Sequence, residues 1–337
     1  MGRVELPYIE PMFSTYHWLS SAGIVAKQNP TSDIWFYNNM IEWSCSTRFL
    51  NGFTTPELSV PTGSIWSIPF LEKSGINNRF ARRCSIEIIK TMLDDGFYVD
   101  FGGVDDFYIK GKSWYNERHF SHDGLILGYD EEKETFTMAA YDERWIFTTF
   151  ETPQKCFLEG LEALTSQNQF GSIHAIKAKQ DVQKLDIANI KDVLGRYLAS
   201  NIKDYPLTHT EKVWGIIVYD YILMYLDKLM DGSIPHEKRD RRIFRLIWEH
   251  KKCMLNRIIT VENEYGLGDE LSQQFIKIVE HSDKARFLYS KFVVRYSAKH
   301  LEKIQKIIQD IKREEKIILN QFQTILEKQL SEVKKDA

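Results

Sequence analysis

The sequence predicts an α+β fold: an antiparallel sheet in the front part of the chain and a mainly helical back. Three observations lead there. The stretch His119-Phe-Ser-His-Asp-Gly-Leu-Ile-Leu-Gly-Tyr-Asp130 and the run Thr135–Asp142 flank the charged segment Asp130-Glu-Glu-Lys-Glu134, which is the pattern of two strands joined by a tight turn. Before that hairpin come segments with apolar residues at helical spacing, and after Phe150 nearly every segment has such a face. The change in texture puts a boundary near residues 150–165, with a front domain over 1–160 and a mainly helical domain over 161–337 that keeps one strand near 171–178.

Taken in order, Pro11–Ala26 carries a helix-start signal at Ser14 or Thr15, followed by small and apolar residues, and so places His17, Trp18 and Ser21 in the first turns of a helix. A second helix is expected over Asp33–Trp43, followed by the small polar turn Ser44-Cys-Ser-Thr-Arg-Phe49. Ile86, Ile89 and Leu93 share one face of a helix that Asp94-Asp-Gly96 stops, and Phe97–Phe101 alternates as a strand before Gly102-Gly103 turns the chain. Thr152-Pro153 opens a helix with Phe157, Leu158 and Leu161, and Gly171–Ala178 reads as a strand. Helices are then expected over Ile187–Leu198, Val213–Met230 and Arg242–Ile259. The last is a long helix with Leu301, Ile304, Ile308, Ile311, Ile318, Phe322 and Ile325 along one seam, broken only at Glu315, which offers a surface for a homodimer.

The 337 residues, 43% apolar and 13% aromatic, suffice for one or two packed cores. A net charge of −3 without a basic stripe gives no footprint for nucleic acid. Cys45, Cys84, Cys156 and Cys253 are widely spaced, as reduced thiols of a cytoplasmic protein are, and form neither a disulfide framework nor a zinc pattern. The start lacks the apolar core of an export signal, and the longest apolar run, Val213–Leu226, is too short to span a bilayer and contains Asp220. No Gly-rich phosphate loop and no metal-ligand spacing are present, so no cofactor and no metal are implied.

Candidate chemistry gathers at the hairpin. His122 stands at the mouth of its first strand and Asp142 at the end of its second, so antiparallel pairing brings imidazole and carboxylate toward each other, as in the His–Asp half of a nucleophile–His–Asp triad. Asp105, Asp106, Tyr108, Trp114 and Tyr115 form an aromatic and acidic approach suited to a cationic amine. Cys45 is the thiol with polar neighbours, among them the cation Arg48.

This order of parts resembles the papain-like cysteine peptidases, and more narrowly the butirosin-biosynthesis protein H family of antibiotic gene clusters, whose front domain is a C39-peptidase-like acyltransferase. The resemblance rests on Tyr16-His-Trp-Leu-Ser-Ser-Ala22, Ser44–Phe49, Gly96–Val99 with Val104–Tyr108, and His119–Asp130 with Tyr141-Asp142; Val213–Tyr219 and Trp248–Leu255 in the back resemble segments of related cluster-encoded proteins. It implies a papain-like front domain that transfers an acyl group from a carrier-protein thioester to a small amine, with His122 as base and Asp142 as its orienting partner. Trp18, Ser21, Asp105, Asp106, Tyr108 and Tyr141 would then line the substrate site.

The sequence departs from that family at one place: where the nucleophilic Cys should open the first helix stands His17 or Trp18, and no cysteine precedes Cys45. Four readings follow. Cys45 replaces the nucleophile; Ser20 or Ser21 does; His122 and His17 assist direct aminolysis with no covalent stage; or the protein binds a peptide or carrier and catalyses nothing. A cysteine peptidase of the same fold would need the missing thiol.

Overall fold

A computed structural model describes residues 2–52, 55–60, 64–77, 80, 85–166, 172–200, 211–235 and 239–336. Cys84, Gly171 and Pro206 lie outside the described residues. The chain divides into two units: Met1–Ser32 with Gly63–Val182, and Asp33–Thr62 with Gln183–Ala337. Where the change in texture places one boundary at 150–165, the contacts put three, and residues 33–62 of the expected front domain belong with the helical back.

Unit 1 is built on a seven-stranded antiparallel sheet. Its strands are β1 (Arg3–Glu5), β4 (Leu71–Asn77), β5 (Tyr98–Asp105), β6 (Ser121–Asp130), β7 (Thr135–Tyr141), β8 (Phe147–Pro153) and β9 (Ser172–Ala178), in the order β4-β9-β5-β6-β7-β8, with β1 beside β6. The expected hairpin is β6–β7, closed where Asp130 pairs with Thr135 and the Asp130 carboxylate accepts the Lys133 N–H at 3.1 Å. The helix expected after Thr152-Pro153, with Phe157, Leu158 and Leu161, is α4 (Gln154–Ser166), and the two opening residues themselves end β8, where Pro153 pairs with Thr135 and Thr152 with Phe136.

Alternation along the strands splits the sheet into two faces. Val99, Phe101, Ile126, Phe136, Met138 and Ile173 form one core with Ile89 and Leu93 of α3 (Ser85–Asp94) and Phe157 and Leu161 of α4 (Gln154–Ser166). Helix α1 (His17–Ala26) packs on β6, β7 and β9. Nine of its ten residues are buried, so Ser20, Ser21, Ala22 and Gly23 serve as a small surface for close approach. A Cβ on Gly23 would lie 2.7 Å from the Pro11 Cβ. α1 has no side-chain cap; Tyr16, in extended conformation, is its first boundary residue, so the signals at Ser14 and Thr15 lie just outside it.

One irregularity positions the site. The β5–β6 register shifts between Phe101 and Val104, at Gly102-Gly103. A Cβ on Gly103 would come within 2.9 Å of the Ser121 Oγ and 3.2 Å of the Leu164 Cδ1, so a side chain at this bulge would force Ser121 and Leu164 to shift. The bulge carries the chain into the short 3-10 turn Asp106–Tyr108, at whose start Asp106 and the preceding Asp105 are both buried.

Unit 2 holds α2 (Ser32–Asn39) from its second residue on, α5 (Ile187–Ala199), α6 (Val218–Met230), α7 (Arg242–Tyr265), α8 (Glu270–Val294) and α9 (Ala298–Asp336), with a small sheet in the order β10 (Lys212–Trp214), β2 (Ser44–Ser46), β3 (Leu58–Ser59). α9 packs on α5, α6 and α8, and α7 packs on α8. Leu301, Ile304, Ile308, Ile311, Ile318 and Phe322 are buried by this packing, so the seam expected to serve a homodimer is used inside the unit.

Two expected helices are shorter than their apolar patterns. α2 stops at Asn39 rather than Trp43: Arg257 of α7 donates to the Tyr37 carbonyl at 2.5 Å, the group that the Ile41 N–H would take in a longer helix, and to the Met40 carbonyl at 2.8 Å, while His250 donates to that of Ile41 at 2.7 Å. The helix expected over Val213–Met230 starts at Val218. Val213 pairs with Cys45, and Gly215 turns the chain at φ +75 with its Cα so close to α5 that a Cβ would sit 2.4 Å from the Tyr197 carbonyl oxygen.

Candidate functional site

The densest group of titratable side chains in unit 1 lies where the start of α1, the start of β6 and the turn after β5 meet. The Nδ1–H of His122 donates to the Asp106 carboxylate, which is 1% exposed. The His122 ring is partly exposed, and among the described residues its Nε2 makes no hydrogen bond. Phe120 packs edge-on against it at 4.5 Å between ring centroids. This is a histidine held in one tautomer with a lone pair left over, the geometry of a general base.

Asp142, the partner expected for His122, is engaged elsewhere. Its carboxylate accepts the Arg144 and Ile146 N–H groups at 2.9 and 2.8 Å, and its own N–H bonds to the Ile146 carbonyl at 2.9 Å, so it closes the β7–β8 turn. A carboxylate satisfied by two local N–H groups has no geometric reason to reach across to another strand. Asp106, expected to bind substrate, takes the orienting role because the bulge at Gly102-Gly103 turns it toward β6.

His17 opens α1, where the resemblance places a nucleophile, with its ring 5.3 Å from that of His122. Both its nitrogens are in use. The Tyr141 N–H donates to Nε2 at 3.3 Å, which leaves the proton on Nδ1 to donate to Asp123 at 3.1 Å. Burial lowers the pKa of His17, the hydrogen bond to Asp123 opposes this, and the nearby Lys112 charge adds to the lowering. Burial alone would raise the Asp123 carboxyl, but the hydrogen bond it accepts from His17 brings it below the usual range. His17 is therefore a neutral strut between α1, β6 and β7.

Lys112 completes the group. Its Nζ is 3.7 Å from the other Asp106 oxygen, and among the described residues neither that oxygen nor the ammonium makes a hydrogen bond. Burial lowers the lysine pKa against the pull of Asp106 and Asp123. The lysine also lines a groove of about 810 Å³ bounded by Gly111, Asp142, Arg144, Phe150 and Glu151.

The remaining expected site residues spread around this centre. Tyr141 lies edge-on to His17 at 5.1 Å and its hydroxyl donates to the Ser14 carbonyl. Ser21 hydrogen-bonds Asp100, whose carboxyl is raised by burial and which accepts from His174 at 3.3 Å. Trp18 stacks on Tyr16 at 5.9 Å. Asp105 and Tyr108 serve another imidazole, His119: its Nδ1 donates to Asp105 at 2.8 Å, and Tyr108 and Phe107 flank its ring. Cys45 belongs to unit 2, is fully buried between β10 and β3, and has a thiol that burial pushes up to about 12, so it is a core residue there and no thiolate. Ser20 donates to the Tyr16 carbonyl at 3.0 Å, inside its own helix.

Residue types and spacing do not point to Asp123, Lys112 or the Asp100–His174 pair. Asp123 was visible only as part of the turn signal His-Asp-Gly, and the cross-strand register that sets Asp100 opposite His174 joins residues 74 positions apart. Among the described residues no group of three or more His, Cys, Asp or Glu side chains could hold a metal ion, and no helix is long and apolar enough to cross a membrane. Compared with known proteins, the sequence matches no family model and no curated protein.

Proposed function

We propose that unit 1 is a papain-like acyl-transfer domain of specialised metabolism, which moves an acyl group from a carrier-protein thioester to a small amine with His122 as general base and Asp106 as its orienting carboxylate. The observation that carries this is the His122–Asp106 pair: a buried carboxylate fixes one ring nitrogen and the other, on a partly exposed ring, is free among the described residues. Support also comes from a buried helix start laid against an antiparallel sheet, with His17 beside His122.

The route is direct aminolysis. The amine nitrogen bonds to the thioester carbonyl carbon while its proton passes to His122 Nε2; the C–S bond then breaks and the departing thiolate takes the proton back. A covalent stage finds no support at Cys45, a buried core residue whose pKa is raised. Peptide hydrolysis by a cysteine mechanism is expected to be absent for the same reason. One observation favours a second reading, binding of a peptide or carrier without turnover: the nucleophile's place on α1 is filled by a histidine with both nitrogens occupied.

The test is acyl transfer from short acyl-pantetheine thioesters to a panel of primary amines. Replacing His122 with Gln is expected to lower kcat by about 10²–10⁴-fold, the usual contribution of a positioned base. Intact-protein mass spectrometry during turnover should show product without an acyl adduct. Equal rates in the wild type and H122Q exclude His122 from the reaction, and binding without product leaves the non-catalytic reading.

A further inference from the structure

We propose that Lys112 is a positioning residue that acts through Asp106: its ammonium is the counter-charge that lets His122 stay a proton acceptor. The inference deepens the reading above and rests on it for the role of His122, but its test needs no turnover.

The His122–Asp106 pair holds a conflict. A carboxylate that is 1% exposed and bonded to an imidazole strongly favours the imidazolium, because in a poorly solvated site the protonated ring is the charge that balances it. An imidazolium has no lone pair and cannot take a proton from an amine. A second cation placed on the far oxygen of the same carboxylate removes that pressure. Lys112 stands there: its Nζ is 3.7 Å from Asp106 Oδ1, while Oδ2 receives the His122 Nδ1–H. The ammonium is itself 2% exposed on its side chain and makes no hydrogen bond among the described residues, so the charge contact with Asp106 is what it offers.

The other charged and titratable groups facing His122 do not supply this balance. His17, from α1, is neutral, with both nitrogens bonded. Asp123, the next residue on β6, is a carboxylate and pulls the same way as Asp106. Phe120 contributes a ring edge. Two carboxylates and one cation thus surround the imidazole, and without the cation the ring would be drawn into its charged form.

The ¹⁵N signals of the His122 ring read the protonation state directly at fixed pH, in the full-length protein. Wild type is expected to show the tautomer with Nδ1–H and an unprotonated Nε2 at pH 7.5. Replacing Lys112 with Met should convert His122 to the doubly protonated ring at that pH, and shift the acid limb of the pH profile upward by about one to two pH units. Lys112→Arg should retain the wild-type signature. Because Lys112 acts through Asp106, the Lys112→Met change should have no effect on the ring in an Asp106→Asn background. That double variant also removes the uncompensated buried carboxylate, so it serves if Lys112→Met alone does not fold.

A folded Lys112→Met protein with wild-type ring signals overturns the proposal, as does a shift that persists at full size in the Asp106→Asn background. If Lys112→Met does not fold, a doubly protonated ring in Lys112→Arg, or a difference in ring signals between Asp106→Asn and the double variant, overturns it. Loss of the acyl-transfer reading shows differently, as H122Q turning over at the wild-type rate while the ring signals behave as described.

Discussion

His17 and His122 lie 5.3 Å apart, and what their nitrogens meet makes them opposites. A backbone N–H and a carboxylate occupy His17, whereas His122 keeps Nε2. Buried neutral imidazoles also set the acid stability of the fold. Burial lowers the pKa of His17 and, far more, that of His250, which donates to the Ile41 carbonyl from a fully buried site in unit 2. Both titrate near 6.5 in the unfolded chain. Since their folded-state values are depressed, their contribution is complete above about pH 6.5 and is lost progressively as pH falls below it, because the unfolded chain then binds the protons that the folded chain refuses. Urea unfolding measured from pH 7.5 to 5 should show stability falling over that window, with a shallower slope in His250→Gln. A pH-independent midpoint in the wild type would contradict the assignment of both rings as neutral.

At the element scale, the apolar rhythm of α9 and the interruption at Glu315 have separate causes. The rhythm packs the helix into unit 2, and Glu315 faces the fully buried ammonium of Lys251 at 2.7 Å. Tyr197 donates to the same carboxylate at 3.0 Å and Tyr219 donates to its other oxygen. Trp43 covers the lysine 4.3 Å from its ring centroid. Removing one member of such a pair strands a charge in hydrocarbon, so Glu315→Leu should destabilise the protein by about 3–5 kcal/mol, and Lys251→Met in the same chain should return much of the loss. Thermal or urea unfolding of the two variants checks this; a double variant no more stable than Glu315→Leu would mean that the packing, and not the charge, is what the substitution breaks.

The elements that could be read from the sequence are those whose partners are near in the chain. The β6–β7 hairpin carries its own turn, and α3 its own stop at Gly96, whose N–H bonds to the Leu93 carbonyl at 3.0 Å. β8 is not legible, because Phe147–Pro153 alternates weakly on an edge strand, with only Phe147 and Thr152 buried. β4, an edge strand of mostly polar residues, reads as a loop until β9, about a hundred residues later, pairs with it. β2 is only Ser44-Cys-Ser46, and its extended form depends on β10 and β3 on either side.

On the scale of the whole molecule, the chain passes from one unit to the other three times, after Ser32, Thr62 and Val182. A cut at the expected boundary would therefore not yield two complete units. Residues 183–337 alone lack Trp43, the cover of Lys251, and Cys45, the strand partner of Val213. That fragment is expected to show no cooperative thermal transition by circular dichroism, and addition of residues 33–62 through a flexible linker should restore one. A fragment that melts cooperatively near the temperature of the full chain would show that 33–62 are an accessory to unit 2.

An α+β chain with a hairpin bearing His122, a buried first helix and a long seamed last helix follows from local pattern alone, because those features are written in spacings of two to four residues that local geometry enforces. That Asp106 and not Asp142 holds His122, that Lys112 stands behind it, and that Cys45 lies in the core of the other unit emerge once the chain is folded. Those outcomes depend on a two-glycine bulge and on strand pairings between distant residues, where the energy of burying a charge or a thiol is set by neighbours that no local pattern names.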